Sequence, residues 1–287
     1  PATAEITDEI VANIDKKFKK NAISGSIKKV DFDAKYNKHL LELIDINAIK
    51  KLKTNIIFDG LYSASIGYFD TLLKENDIKF SALHMFHDSN FGGGMPDPKP
   101  KYLKELIEQV KTTPNAIGLA NDGDADRFGI INENGEYVSP NIIIAILLKH
   151  LQAKGYTGSV VKTVGSSLLI DNVAKKLGIP VIETAVGFKH VGEAMRKNDV
   201  IIGGEESGGL SIKGHIPEKD GLLANLLILE TMAETEKSLV ELQEEIENIA
   251  GAKFYTDRID LKLNNKAEIK PILDKTKTLT KVSTYDV

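Results

Sequence analysis

Twice along this chain a short apolar run breaks into a polar, glycine-containing loop and returns at once as a second short apolar run. The first instance is "NAIGLAN" (115–121), "DGDADR" (122–127) and "FGII" (128–131); the second is "DVIIGG" (199–204), "EESGG" (205–209) and "LSI" (210–212). Each closes a series in which β-rich segments alternate with segments of helical apolar spacing. In the first series the pattern predicts strands over 54–60, 78–85 and 115–121, with helices over 64–76 and 100–111. Pro100 suits an early helix position, and Asn134-Gly135 between apolar segments predicts a hairpin over 128–138. In the second series, helices are expected over 139–155, 167–178 and 188–198, strands over 158–164 and 179–185, and one or two further helices over 220–250. Alternation of this kind calls for largely parallel sheets with helical crossovers. Open α/β sheets place ligands in loops at the carboxyl ends of parallel strands. Two such loops therefore predict a cleft with one loop from each half.

Length and composition agree with two cores. A chain of 287 residues corresponds to about two domains, and 42% hydrophobic with 27% charged residues is ordinary for a globular protein. A net charge of −4 argues against a non-specific nucleic-acid binder. The absence of cysteine excludes disulfides, thiolate metal sites and cysteine nucleophiles, and is compatible with the cytoplasm, the expected location. The longest apolar run, "IIIAILL" (142–148), is far short of the roughly 20 residues that span a bilayer. The opening "PATAEITDEIV" lacks the basic region and apolar core of a signal peptide. Ile6, Ile10, Val11, Ile14 and Phe18 fall at helical spacing and predict an isolated leading helix. From about Ala252 a strand-like segment, "AKFYTDRIDLKLNN", follows the last helix. A start at Pro1 and an end at "KVSTYDV" together lead to the expectation of a piece of a longer chain.

The aspartate loop carries the sharpest chemistry. Three carboxylates at alternate positions, Asp122, Asp124 and Asp126, repel one another unless a cation offsets them. In extended chain, alternate side chains point the same way and would converge three oxygen donors, the ligand type that magnesium takes. The competing readings are a solvated acidic Asp-Gly turn and an EF-hand. The EF-hand fails because its sixth position must be glycine and here is Arg127, and because the flanks read as strands. A guanidinium beside a metal can hold a phosphate by paired hydrogen bonds, so Arg127 turns the loop toward phosphoryl transfer. No G-x-x-x-x-G-K-[ST] sequence supports a nucleotide P-loop.

In the second loop, Glu205 and Ser207 alternate and share a face in extended chain, where they could hydrogen-bond sugar hydroxyls; Glu206 would point away. A flexible acidic turn explains the loop equally well. Together, in this order and about one domain apart, the two loops resemble the phosphohexomutase superfamily, which includes phosphoglucomutase, phosphomannomutase and phosphoglucosamine mutase. "DGDADR" is similar to its magnesium loop and "GEESGG" to its sugar-recognition loop. "VGFKHV" resembles a lysine segment that contacts phosphate, and "HIPEKDGLLA" resembles the segment after the sugar loop. The likeness runs from about residue 20 to 250.

The resemblance implies two successive three-layer α/β domains with mainly parallel, mixed sheets bearing an antiparallel edge strand. They would cover 21–138 (metal loop) and 139–251 (sugar loop). Residues 1–20 would be the terminal helix of a missing first domain, and 252–287 the start of a truncated fourth. It implies that Asp122, Asp124 and Asp126 ligate Mg2+, that Arg127 and Lys189 act at the phosphate, and that Glu205 and Ser207 recognise the sugar. Lys162 would add positive charge at the substrate, with a solvated strand-end charge as the equal alternative. His190 and His215 are expected to be structural or exposed, and "NFGGGMPDPKP" (90–100) to be turn chemistry without a substrate contact. The implied reaction moves phosphate reversibly between the 1- and 6-positions of a hexose through a phosphoserine and a bisphosphate intermediate. The T-A-S-H-N-P-like loop of that serine and the R-x-S-G-T-E-P-like loop of the fourth domain do not occur here. Gly209 stands where the "GEMSGH" of dual-specificity members has histidine, which makes glucose 1-phosphate the expected substrate. Phosphomannomutase is the alternative within the class, and a non-catalytic sugar-phosphate or metal-binding module the alternative outside it. No nucleic-acid or membrane partner is expected.

Overall fold

The structure, a computed structural model, describes residues 2, 4–17, 25–255, 263, 265–276, 281–282 and 285–286. Phe18 and most of the strand-like segment from 252 lie outside them. Residues 1–254 form one compact unit and residues 255–287 a second.

The leading helix, α1 (Ala4–Asn13), leaves Ile6, Ile10 and Val11 exposed, as is Ile14 in the turn after it. Helix α2 (Asp33–Leu43), which the sequence reading did not anticipate, buries Leu40, and α3 (Ile46–Ile49) is capped by the Asp45 carboxylate. The first sheet then assembles from β1 (Asn55–Asp59), α4 (Phe69–Glu75), β2 (Phe80–Leu83), α5 (Lys104–Thr112), β3 (Ala116–Asn121), β4 (Phe128–Ile131) and β5 (Tyr137–Val138). Its order is β2-β1-β3-β4-β5. Strand β1 runs parallel to β2 and β3; β4 pairs antiparallel with β3, and β5 antiparallel with β4. The helix expected from residue 64 starts only at Phe69. A Ser63–Ser65 hydroxyl pair (2.8 Å), and Gly67 at φ 89° donating to Asp70, hold the preceding residues in turns instead. The predicted hairpin is present: Asn132 N–H donates to Glu136 O at 2.8 Å, and Gly135 takes φ 75° at the turn.

The second sheet is built from α6 (Pro140–Ala153), β6 (Ser159–Thr163), α7 (Leu168–Leu177), β7 (Val181–Thr184), α8 (Phe188–Lys197), β8 (Val200–Gly204) and β9 (Leu210–Ile212), in the order β7-β6-β8-β9. Only its edge strand β9 is antiparallel. Helices α9 (Gly221–Thr235) and α10 (Leu239–Ala250) follow. They are separated by Glu236 in the left-handed conformation and by a Ser238/Glu241 capping box.

Both sheets are covered on two faces, the three-layer arrangement expected. On one face of the first, Ile57, Ala120 and Ile131 pack against Leu106 and Val110 of α5; on one face of the second, Val161 and Val200 pack against Phe188 and Val191 of α8. A larger continuous core fills the rest and includes residues of both sheets, α6 and α9. Helix α9 is buried from Gly221 to Met232, so its near-continuous apolar surface is that of a helix with neighbours on every side. The second unit contains α11 (Ile269–Thr276) and a two-stranded ribbon of β10 (Lys281–Val282) and β11 (Tyr285–Asp286).

Candidate functional site

The aspartate loop leaves the carboxyl end of β3, the position open α/β sheets use for ligands. The three carboxylates converge, with oxygen atoms within 4.8 Å of one another. Extended alternation is the expected reason; the observed reason is a turn. Ala125 N–H donates to Asp122 O at 3.0 Å, and Ala125 takes φ 63°. The three positions differ sharply: Asp122 is buried, Asp126 half-buried and Asp124 exposed. Asp122 accepts the Arg127 N–H (2.9 Å) and Arg127 Nε (2.6 Å). Burial pushes the Asp122 carboxyl up to about 6, with the Asp126 charge acting in the same direction and Arg127 opposing both.

The second loop leaves the carboxyl end of β8 and folds back as a turn, with Gly208 N–H donating to Glu205 O at 3.2 Å. Glu205 is 6% exposed; its Oε1 accepts the Gly187 N–H at 3.0 Å, and Ser207 Oγ lies 3.4 Å from its Oε2. Burial raises the Glu205 pKa, with Lys219 opposing. Glu206 turns elsewhere and accepts from Thr163 Oγ1 at 2.6 Å. The two loops touch along their backbones. Phe128 N–H donates to Gly208 O at 3.1 Å, and Arg127 pairs with Gly209 as an antiparallel bridge.

Two residues that sequence reasoning did not nominate belong to this seam. Lys219 Nζ lies 2.6 Å from Asp126 Oδ2, and its stem crosses Gly209, where an added Cβ would lie 2.3 Å from Lys219 Cδ. A side chain at 209 would have to displace the Lys219 stem. Lys219 falls in the "HIPEKDGLLA" segment, so its signal was present but unassigned. Asp97 lies 3.4 Å from Arg127 Nη1, and Pro96 O accepts the Gly123 N–H at 3.0 Å. The 90–100 loop thus grips the aspartate loop rather than serving as turn chemistry alone.

Of the two other lysines named from sequence, Lys189 is exposed in the first turn of α8, two residues after the Gly187 N–H that Glu205 accepts. Lys162 is 1% exposed and ion-paired to Glu183 (2.8 Å) and Asp171 (3.0 Å). It is not a solvated strand-end charge, and its ammonium is already committed to two carboxylates. His215 is buried against Asp220 (3.2 Å) and His39 (3.0 Å), a structural setting.

Hard carboxylate oxygens at this spacing suit one oxygen-liganded divalent cation. A second cluster, His150, Glu230 and Glu234, has comparable spacing. There both oxygens of the buried Glu230 are taken, Oε1 by Lys154 Nζ and the Asp45 N–H and Oε2 by His150 Nε2 at 3.0 Å. At the seam, the arrangement can hold a cation, present a guanidinium beside it and offer hydroxyl-binding groups within one continuous surface.

Comparisons with known proteins fall on the same segments. The family model described as "Phosphoglucomutase/phosphomannomutase, alpha/beta/alpha domain II" matches residues 34–135, and its domain III counterpart matches 139–249. A Thermococcus kodakarensis phosphoglucomutase/phosphomannomutase is 29% identical over 92% of this chain and 56% of its own length. A Methanococcus vannielii phosphoglucosamine mutase is 32% identical over 74% and 48%. A Thermus thermophilus crystal structure named after phosphomannomutase superposes with a TM-score of 0.82 at 31% identity, covering 88% of this chain and 58% of that one. The chain spans about half the length of the curated relatives it matches.

Proposed function

The chain belongs to the phosphoglucomutase/phosphomannomutase family, and from that premise we propose that its two loops are the metal-binding and sugar-recognition loops of a phosphohexomutase. The observation that carries this reading is the hydrogen-bonded seam between them, Phe128 N–H to Gly208 O at 3.1 Å with Lys219 reaching Asp126 across it. Asp122, Asp124 and Asp126 would hold Mg2+, whose charge neutralises the phosphoryl oxygens during transfer. Arg127, held at Nε by Asp122 and at Nη1 by Asp97, would keep its remaining N–H donors for a phosphate. Glu205 and Ser207 would orient the hexose hydroxyls, and Lys189 would pair with its phosphate. Lys162 has the weakest support, because its buried ammonium is already paired with Asp171 and Glu183. Residues 21–138 and 139–251 are read as the family's second and third domains.

The substrate class is a hexose phosphate interconverted between its 1- and 6-phosphates. Glucose 1-phosphate remains the preferred reading from "GEESGG". The name phosphoglucosamine mutase among the relatives makes glucosamine 1-phosphate a specific second reading, with mannose 1-phosphate as a third. Titration calorimetry tests both halves of the site in this chain. Asp124→Asn should abolish Mg2+ binding, and Glu205→Ala should weaken binding of the preferred hexose phosphate while leaving Mg2+ binding in place. A wild-type chain that takes up neither Mg2+ nor any of the three hexose phosphates would reject the proposal.

A further inference from the structure

Asp126 is the carboxylate of the loop that faces two cations at once. Its Oδ1 lies 3.8 Å from Arg127 Nε and its Oδ2 lies 2.6 Å from Lys219 Nζ. Arg127 has a closer partner in Asp122 (2.6 Å), whereas Asp126 is the carboxylate in contact with the Lys219 ammonium. Lys219 is held there by its surroundings. The next residue, Asp220, caps α9 through the Leu222 and Leu223 N–H groups, and Gly221 N–H donates to Ala125 O at 3.1 Å. The chain on one side of Lys219 is thus tied to the aspartate loop, and its stem lies against Gly209 of the other loop.

From this geometry we infer that Lys219 is an internal cation that competes with a divalent metal for Asp126, so that metal uptake by the first loop displaces the Lys219 ammonium. The inference rests on the metal reading of Asp122–Asp126. An ammonium 2.6 Å from a ligand carboxylate repels an incoming dication and shares the donor it needs. Displacement does not strand the charge: Glu205 Oε2 and the Lys219 stem flank the same side of Gly209, 3.5 Å and 2.3 Å from its added Cβ position. Glu205 is the next carboxylate within reach.

Titration calorimetry with Mn2+ and Mg2+ on the 287-residue chain decides the matter. Lys219→Met keeps the aliphatic stem over Gly209 and removes the charge; it should bind metal about tenfold more tightly than wild type, the size of coupling seen between close charges. Lys219→Gln should move in the same direction, which guards against a packing artefact, and circular dichroism checks that both variants fold. On an Asp126→Asn background the tightening should vanish, because the shared donor is gone. Equal or weaker metal binding by folded Lys219→Met and Lys219→Gln overturns the inference, as does undiminished tightening on the Asp126→Asn background. Metal binding by wild type that the lysine variants leave unchanged rejects the competition alone. No binding by wild type or variants rejects both the competition and the metal reading beneath it.

Discussion

Asp122 and Asp124 carry the same side chain two residues apart, yet the fold uses them differently. Asp122 is 1% exposed and anchors Arg127 through two hydrogen bonds; Asp124 points to solvent. Asp122→Asn should therefore destabilise the chain by about 1–3 kcal/mol, since it weakens bonds to a half-buried guanidinium. Asp124→Asn should leave the melting temperature unchanged within error while removing metal affinity. Thermal melts of both variants check this; equal destabilisation would mean that burial and the Arg127 contacts do not set Asp122 apart from Asp124. Glu205 gives a pH signature. Burial raises its pKa, so the folded chain holds the Glu205 proton more tightly than the unfolded chain does. That stability is full below the unfolded carboxylate range and is lost as pH rises through the folded value. The melting temperature of Glu205→Gln should therefore gain on wild type as pH rises from about 4, the unfolded carboxylate range, until the folded chain has lost the proton as well. A constant difference across that window would show that the carboxyl is not perturbed. The identities of these residues were legible from spacing and resemblance. Lys162 shows the limit: a lysine near a strand end reads as solvated until Asp171 and Glu183 are seen to enclose it.

At the scale of elements, the site depends on how closely α9 starts to the aspartate loop. A Cβ at Gly221 would lie 2.3 Å from Asn121 Nδ2 and 2.4 Å from Arg127 O. Backbone on one side and a core-bound amide on the other leave no flexible atom to move. Gly221→Ala should cost about 1–3 kcal/mol, a fall of roughly 2–10 °C in melting temperature, and should weaken metal binding by shifting the loop. Gly25→Ala, with nothing within 4 Å of the added atom, is the matched control. An innocuous Gly221→Ala would show that helix and loop are not tightly coupled. Most elements were legible from period and turn signals, including the Asn134-Gly135 hairpin. Helix α2 was missed, although its Leu40 is fully buried; its apolar residues Leu40, Leu41 and Leu43 crowd one end of a polar run and show too little of a helical period to mark the element.

For the molecule as a whole, α9 lies buried in a core that residues of both sheets share. Leu227 is fully buried in the core cluster that includes residues of both sheets. Leu227→Ala should cost about 2–5 kcal/mol, and calorimetry should show residues 1–254 melting in a single transition that shifts as one. Two separated transitions, with one unmoved, would contradict that. Catalysis belongs to this scale too. The proposed reaction needs a phosphoryl-carrying serine, and no T-A-S-H-N-P-like loop occurs within these 287 residues. The chain alone should then give no steady conversion of glucose 1-phosphate with magnesium and glucose 1,6-bisphosphate in a coupled assay. Turnover abolished by Asp124→Asn would place a nucleophile within these residues. The alternation of strands and helices, the carboxylates behind β3 and the glycines behind β8 were determined by the sequence itself, because they follow from side-chain period and local turn chemistry. The partners of those groups were not. That Lys219 reaches Asp126, that Asp97 steadies Arg127 and that Lys162 is enclosed depend on contacts between residues 21 to 93 positions apart, or on a stretch of nine in the case of Lys162 and Asp171. Local period carries no record of such distances, so strand pairing and the packing of loops and helices against the sheets decided them.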